Sequence, residues 1–181
     1  MVLPGHLAGG YLAARWLLAV FHPGFSQIEI DSLLIVGTLA GDLPDIDLAW
    51  YSFKHLVLKS QENDDHRQYI SHSPLIWLGI SSLVVLFGLI AGSIFTQFIG
   101  WMILCGTWSH FILDSIEHGV MWLWPISKKK LYLRDAPDPD LPGQKGGIKW
   151  YWDYIIKVYP YRITLYAEIV VTLAAIYLAF H

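Results

Sequence analysis

Two long apolar runs separated by a two-residue step dominate what this chain can become. Leu75 to Ala91 and Ile94 to Leu113 contain no Lys, Arg, Asp or Glu. Each approaches the roughly 20 residues a helix needs to cross a bilayer core, and Ala91-Gly92-Ser93 supplies a turn between them. The pair predicts a transmembrane helical hairpin. A third run, Ile163 to Phe180, carries one acid, Glu168, and is still apolar enough to cross. Leu7 to Phe21, interrupted by Arg15, and Asp31 to Ala40 are shorter. By length they fit buried core helices, re-entrant segments or short crossings. The Pro and Gly of His22–Gln27 form a natural turn between them. A secretory signal in place of the first run calls for positive charge ahead of it, and none precedes His6.

Composition agrees. Only 15% of the residues are charged, against about 25% in an average soluble domain. Nine Trp and ten Tyr are residue types that favour membrane interfaces. The expectation is an all-α, polytopic helical membrane protein of about five apolar helices, three clear spans plus two short N-terminal ones. Residues 1–181 then form one membrane-embedded domain, with a Pro/Gly/Trp-rich loop at 128–161 and a C-terminal span at 162–181. A net charge of −3, with no Lys/Arg stripe interleaved with aromatics, speaks against nucleic acid. The single cysteine, Cys105, excludes an intrachain disulfide and a CxxC site and reads as a small buried hydrophobe. Oligomeric state is not set by the sequence.

If the five segments alternate direction, the amino terminus, the 41–73 region and the 117–161 region share one side. Eleven of the twelve Lys and Arg fall in or beside that side, Arg15 being the exception. The positive-inside rule makes it cytoplasmic. The histidines and carboxylates gather there too. His6 opens the first segment, Asp42, Asp45 and Asp47 follow the second, His66 and His72 precede the third, and His110, Asp114 and His118 end the fourth.

Several of these groups have spacings that suit a metal ion. Gly41-Asp-Leu-Pro-Asp-Ile-Asp47 sets three carboxylates around a Pro turn, where Asp45 and Asp47 can face one cation; a solvated polar turn is the plainer reading. His110, Asp114 and His118 lie four apart, on one helical face. An ionisable group at a membrane boundary is costly, which makes Asp114 a functional candidate. His66 and His72 are six apart, so a loop or helix entry must present them, and Arg67 stands beside the first. Lys128–Lys130 most simply meets anionic lipid headgroups.

The ordered set of these motifs resembles the YdjM-like family of inner-membrane-associated metal-dependent hydrolases. The elements are His6 before a Gly-containing apolar helix, G-x-L-P-D-I-D at 41–47, H-R…S-H-S at 66–73, S-H-x-x-x-D at 109–114 and L-W-P-I-S at 123–127. They cover roughly residues 1–130. The family is distantly similar to zinc-dependent phospholipase C, whose helices carry clustered His and Asp ligands. The His66–His72 interval is one residue longer than the family's usual His-Arg-x-x-Thr-His, and Ser71 stands where Thr is expected.

The resemblance narrows a metal site to a hydrolase of a phosphoester in a lipid or other amphiphile. The expected ligands of zinc or manganese are His6, Asp45, Asp47, His66, His72, His110 and Asp114. Asp45 or Asp47 would take a proton from the attacking water, and Arg67 would hold a phosphate oxygen. Two rivals use the same residues differently. A metal or proton transporter predicts polar groups through the middle of several spans. A non-catalytic membrane scaffold, binding a protein partner through the 117–161 loop, predicts that the cluster is dispensable.

Overall fold

The computed structural model of the protein describes residues 3–46, 70–136 and 148–181. Among these, six α-helices and no strand ladder are present: α1 (Leu3–Phe21), α2 (Gln27–Ala40), α3 (Pro74–Ile90), α4 (Ile94–Asp114), α5 (Ile148–Lys157) and α6 (Ile163–Phe180). Short 3-10 turns stand at Leu43–Asp45, Ile70–His72 and Tyr159–Tyr161. The all-helical class is as expected.

The chain reverses where its capping chemistry directs. Ser26 caps α2 in a capping box, its hydroxyl accepting from the Glu29 N–H while the Glu29 carboxylate accepts from the Ser26 N–H at 2.9 Å. Gly92, at φ 65°, ends α3. Its N–H bonds to the Leu89 carbonyl and the Ser93 N–H to the Gly88 carbonyl, the paired bonds of a Schellman motif. Ser93 then caps α4 through the Thr96 N–H.

Helices α1, α2 and α4 pack against one another, α6 lies on α1, and α3 packs on α4. Glycine permits this closeness. A Cβ on Gly41 would stand 2.3 Å from the His6 carbonyl oxygen, and one on Gly106 would stand 2.5 Å from the Gly37 carbonyl oxygen. Backbones that touch through small residues are the usual packing of helices in membranes, where the hydrophobic effect does not press them together. Next to this contact, Ala14, Leu17, Leu33 and Met102 form a hydrophobic core, with Phe25, Phe98 and Cys105 against it.

The span expectation is narrowed. Among the described residues, α6 is the one helix long and apolar enough to cross a membrane by length and composition. At 17 residues α3 is apolar but shorter. The 21-residue α4 is long enough, but Thr96, Gln97, Thr107, Ser109 and His110 interrupt its apolarity, and Thr107 and His110 are fully buried. At 1.5 Å per residue the 14 residues of α2 rise about 21 Å, less than a hydrocarbon core of about 30 Å. The region expected to be a loop at 128–161 also contains helix α5.

Candidate metal centre

Three histidines and two aspartates meet where the ends of α1, α2, α3 and α4 converge. His6 comes from the first turns of α1, and Asp45 from the 3-10 turn Leu43–Asp45 that contains Pro44 and follows α2. His72 ends the 3-10 turn before α3. His110 and Asp114 occupy successive turns of one α4 face, as their spacing requires. His6, His72, His110 and Asp114 are at most 1% exposed, whereas the Asp45 side chain retains 17% exposure. Asp45 is therefore the cluster's contact with the outside.

The distances are informative. His6 Nε2 lies 3.4 Å from Asp114 Oδ1, His72 Nε2 3.5 Å from Asp114 Oδ2, and His110 Nε2 3.6 Å from Asp45 Oδ1. Three further His–carboxylate approaches fall between 3.9 and 4.0 Å. These separations are too long for good hydrogen bonds. Two donors on one tetrahedral ion, each about 2.1 Å from it, stand about 3.4 Å apart. The nitrogens and oxygens are thus spaced as ligands of a common cation are spaced. Two overlapping sets could hold an ion, His6 with Asp45 and His110, and His72 with His110 and Asp114.

Buried polar atoms support the same fit. Both ring nitrogens of His6 and Nε2 of His110 are buried without a hydrogen-bond partner among the described residues. Leaving such atoms unsatisfied is costly unless another group engages them. The other nitrogen of His110, Nδ1, lies 2.9 Å from the Gly41 carbonyl oxygen. A carbonyl only accepts, so Nδ1 carries the proton and Nε2 turns its lone pair into the cluster. Backbone carbonyls fix metal-ligating imidazoles in this way. His6 and His110 also stack, with ring centroids 3.8 Å apart.

The support around the cluster comes from distant parts of the chain. Ser73 donates to the Trp124 carbonyl at 3.1 Å, and Trp77 Nε1 to the Ser71 carbonyl at 2.6 Å, so the turn bearing His72 is held from two sides. Glu168, buried on α6, accepts from the Gly5 N–H at 3.1 Å and from the Tyr159 hydroxyl. It thereby caps the start of α1 one residue before His6. Glu117, three residues past Asp114, accepts from the N–H groups of Ile163 and Thr164 at 3.3 Å and from the Thr164 hydroxyl at 2.9 Å. It supplies the cap that Arg162, at the N-cap position, does not. A covalent and hydrogen-bonded path therefore runs from α4 through Glu117 to α6, and through Glu168 to α1 and His6.

Of the residues expected from sequence, the structure brings together His6, Asp45, His72, His110 and Asp114. Asp47, His66 and Arg67 lie outside the described residues. His118 does not join the cluster. Helix α4 ends at Asp114 and Gly119 takes a φ of 77°, so the periodicity that would align His118 stops first, and its Nε2 lies 3.5 Å from the Tyr154 hydroxyl. Asp42 contributes no side-chain cap to the turn it opens. Burial pushes its carboxyl above the usual range, with His6 pulling the other way. Glu117 was missed by sequence reasoning. Its available signal is an isolated acid just beyond a charge-free apolar run, on the same footing as Asp114.

No curated protein and no solved structure matches the chain. The family model described as YdjM inner membrane protein matches residues 1–180, nearly the full length. The chain with this buried His/Asp cluster belongs to the YdjM inner membrane protein family.

Proposed function

We propose that the protein is a multi-pass membrane enzyme that hydrolyses a phosphoester in a lipid or other amphiphile, using a divalent cation held by His6, Asp45, His72, His110 and Asp114. The observation that carries the reading is the spacing of donors near 3.4–3.6 Å around the buried ring nitrogens of His6 and Nε2 of His110, which have no hydrogen-bond partner among the described residues. Zinc suits this mixture of imidazole and carboxylate, and manganese is the other ion such donors accept. A cation there would lower the pKa of a water toward about 7 and polarise a phosphoryl oxygen. Asp45, the partly exposed member, is the group on this chain best able to take a proton from water arriving from outside. Asp47 and Arg67 remain its proposed helpers, as a second carboxylate and as a phosphate clamp.

Membrane embedding is supported by large apolar side chains on outer faces. Leu83, Phe87 and Ile90 of α3 and Val170, Leu173 and Phe180 of α6 are each more than 60% exposed. Large apolar side chains left exposed in rows along a helix fit contact with lipid or a partner. Helices α3, α4 and α6 would cross, the 19-residue α1 and 14-residue α2 would cross with them as a shorter pair that thins the bilayer locally, and the Lys/Arg distribution orients the cluster toward the cytoplasm. Amphiphile substrates follow from a reactive centre at the boundary of such a bundle. The cluster's position at helix ends favours surface chemistry over a transit pathway.

Detergent-purified protein should hydrolyse a phosphoester in mixed phospholipid micelles, lose turnover with a chelator and regain it with zinc or manganese. Asp45→Ala should reduce turnover at least about 100-fold if it combines ligand and base roles. Absence of turnover in metal-loaded protein across lipid and soluble phosphoesters would remove the enzymatic reading.

A further inference from the structure

A second charged feature lies beside α2, its two ionisable groups near the turn joining α1 and α2 and away from the His/Asp cluster. Helices α1 and α2 and the end of α6 border an open cleft of about 630 Å³, lined by Tyr11, Arg15, Asp31, Leu34, Ile35 and Leu39 among others. Arg15 is half-buried, and its one hydrogen bond among the described residues is to the neutral Tyr11 hydroxyl at 3.1 Å. Asp31 is exposed, accepts from Gln27 Nε2 at 2.8 Å, and makes no ion pair with Arg15. A cation and an anion thus face one cleft without pairing with each other, while the neighbouring Glu29 is engaged by Ser26 in the capping box.

Depth decides what suits them. Arg15 is six residues before the end of α1 and Asp31 four after the start of α2. At 1.5 Å per residue both lie within about 10 Å of the turn joining the helices, the headgroup zone of a bilayer in which these helices are embedded. Leu34, Ile35 and Leu39 continue from there along α2 to its last turn as a largely apolar track, with Thr38 beside it. From Gln27 to Leu39 the cleft follows α2 for about 18 Å, comparable to an acyl chain.

We propose that this cleft binds a zwitterionic aminophospholipid, its phosphate on Arg15, its ammonium on Asp31 and one acyl chain along Leu34, Ile35 and Leu39. Charge complementarity selects the headgroup. A purely anionic lipid would meet Asp31 unfavourably, and a lipid without phosphate would leave Arg15 unanswered. The proposal rests on the membrane embedding proposed above and is independent of hydrolysis.

The test is native mass spectrometry of the full chain released from nanodiscs of equal phosphatidylethanolamine and phosphatidylglycerol, with bound metal read in the same samples. Wild type should retain phosphatidylethanolamine in preference. Arg15→Gln should lower that retention roughly tenfold, the weight of one lost charge-assisted hydrogen bond. Asp31→Asn should shift preference toward phosphatidylglycerol. Ile35→Trp, at an exposed position, should expel the lipid by filling the track, and it serves where Arg15→Gln does not fold. Equal retention of both lipids by wild type, as for a loose annulus, would overturn the proposal, as would wild-type behaviour in the charge variants. Metal content should be unchanged throughout. Lost metal with retained lipid selectivity would count against the hydrolase reading alone.

Discussion

The two ends of this helical bundle solve the same problem in opposite ways. Every helix terminus leaves backbone groups unpaired, and each must find a partner. At the end carrying the turns, partners are local. Ser26 and Glu29 cap α2 from three residues apart, Gly92 and Ser93 close α3 onto its own last turn, and Ser93 caps α4. At the end carrying the cluster, α2 and α4 still close locally, but the starts of α1 and α6 and the imidazole of His110 find distant partners. Glu168 caps α1 across 163 positions, Glu117 caps α6 across 46 and 47, and His110 reaches Gly41 across 69. The local end can form as each hairpin forms. The distant end exists only when the whole bundle is assembled, which makes the cluster a property of the tertiary fold.

That contrast can be broken from either side. The largest effect should come from backbone contact beneath the cluster. Gly41→Val places side-chain atoms where a Cβ alone would meet the His6 carbonyl at 2.3 Å, so it should cost more than about 3 kcal/mol or abolish folding. Thermal unfolding in detergent measures this, and a near-wild-type midpoint would show that the helices are not held so closely. Next comes Asp114→Asn, which removes a carboxylate charge facing His6 and His72 and should lower metal affinity at least about 100-fold in competition with a chromogenic chelator.

Glu168→Gln should be milder, weakening affinity roughly tenfold while leaving helical content intact, because it loosens the cap one residue before His6 without removing a ligand. Unchanged affinity would detach α6 from the cluster. The smallest effect belongs to the local end. Ser26→Ala should cost about 1 kcal/mol of stability and leave metal affinity unchanged. A change in affinity there would erase the distinction between the ends.

The same contrast explains what could be read from the sequence. The turns were legible because their signals, the Gly92 stop and the His22–Gln27 break, are short-range. The residues of the cluster were legible because an ionisable Asp or His bordering an apolar run is costly, and the i, i+4 spacing of His110 and Asp114 fixes their common face. The braces were legible only as lone acids: Glu168 inside an apolar run calls for a partner such as another helix, and Glu117 stands just beyond one, but nothing nearby says which distant group answers either. By length and composition only α6 among the described helices passes as a crossing helix, because hydropathy sums a whole segment. In α4 the polar side chains Thr107 and His110 turn inward, so its apolarity is divided between core and exterior rather than offered uniformly to lipid. Helix α5 escaped notice because the Pro/Gly-rich segment before it coloured the whole region as loop.

Metal analysis of detergent-purified protein tests the central claim most directly, comparing wild type with Asp45→Ala and His110→Ala after dialysis against limiting zinc. The account predicts stoichiometric metal in wild type and loss of most of it in both variants, with helical content retained. Wild type that binds no metal under these conditions, or variants that bind as much as wild type, would contradict it.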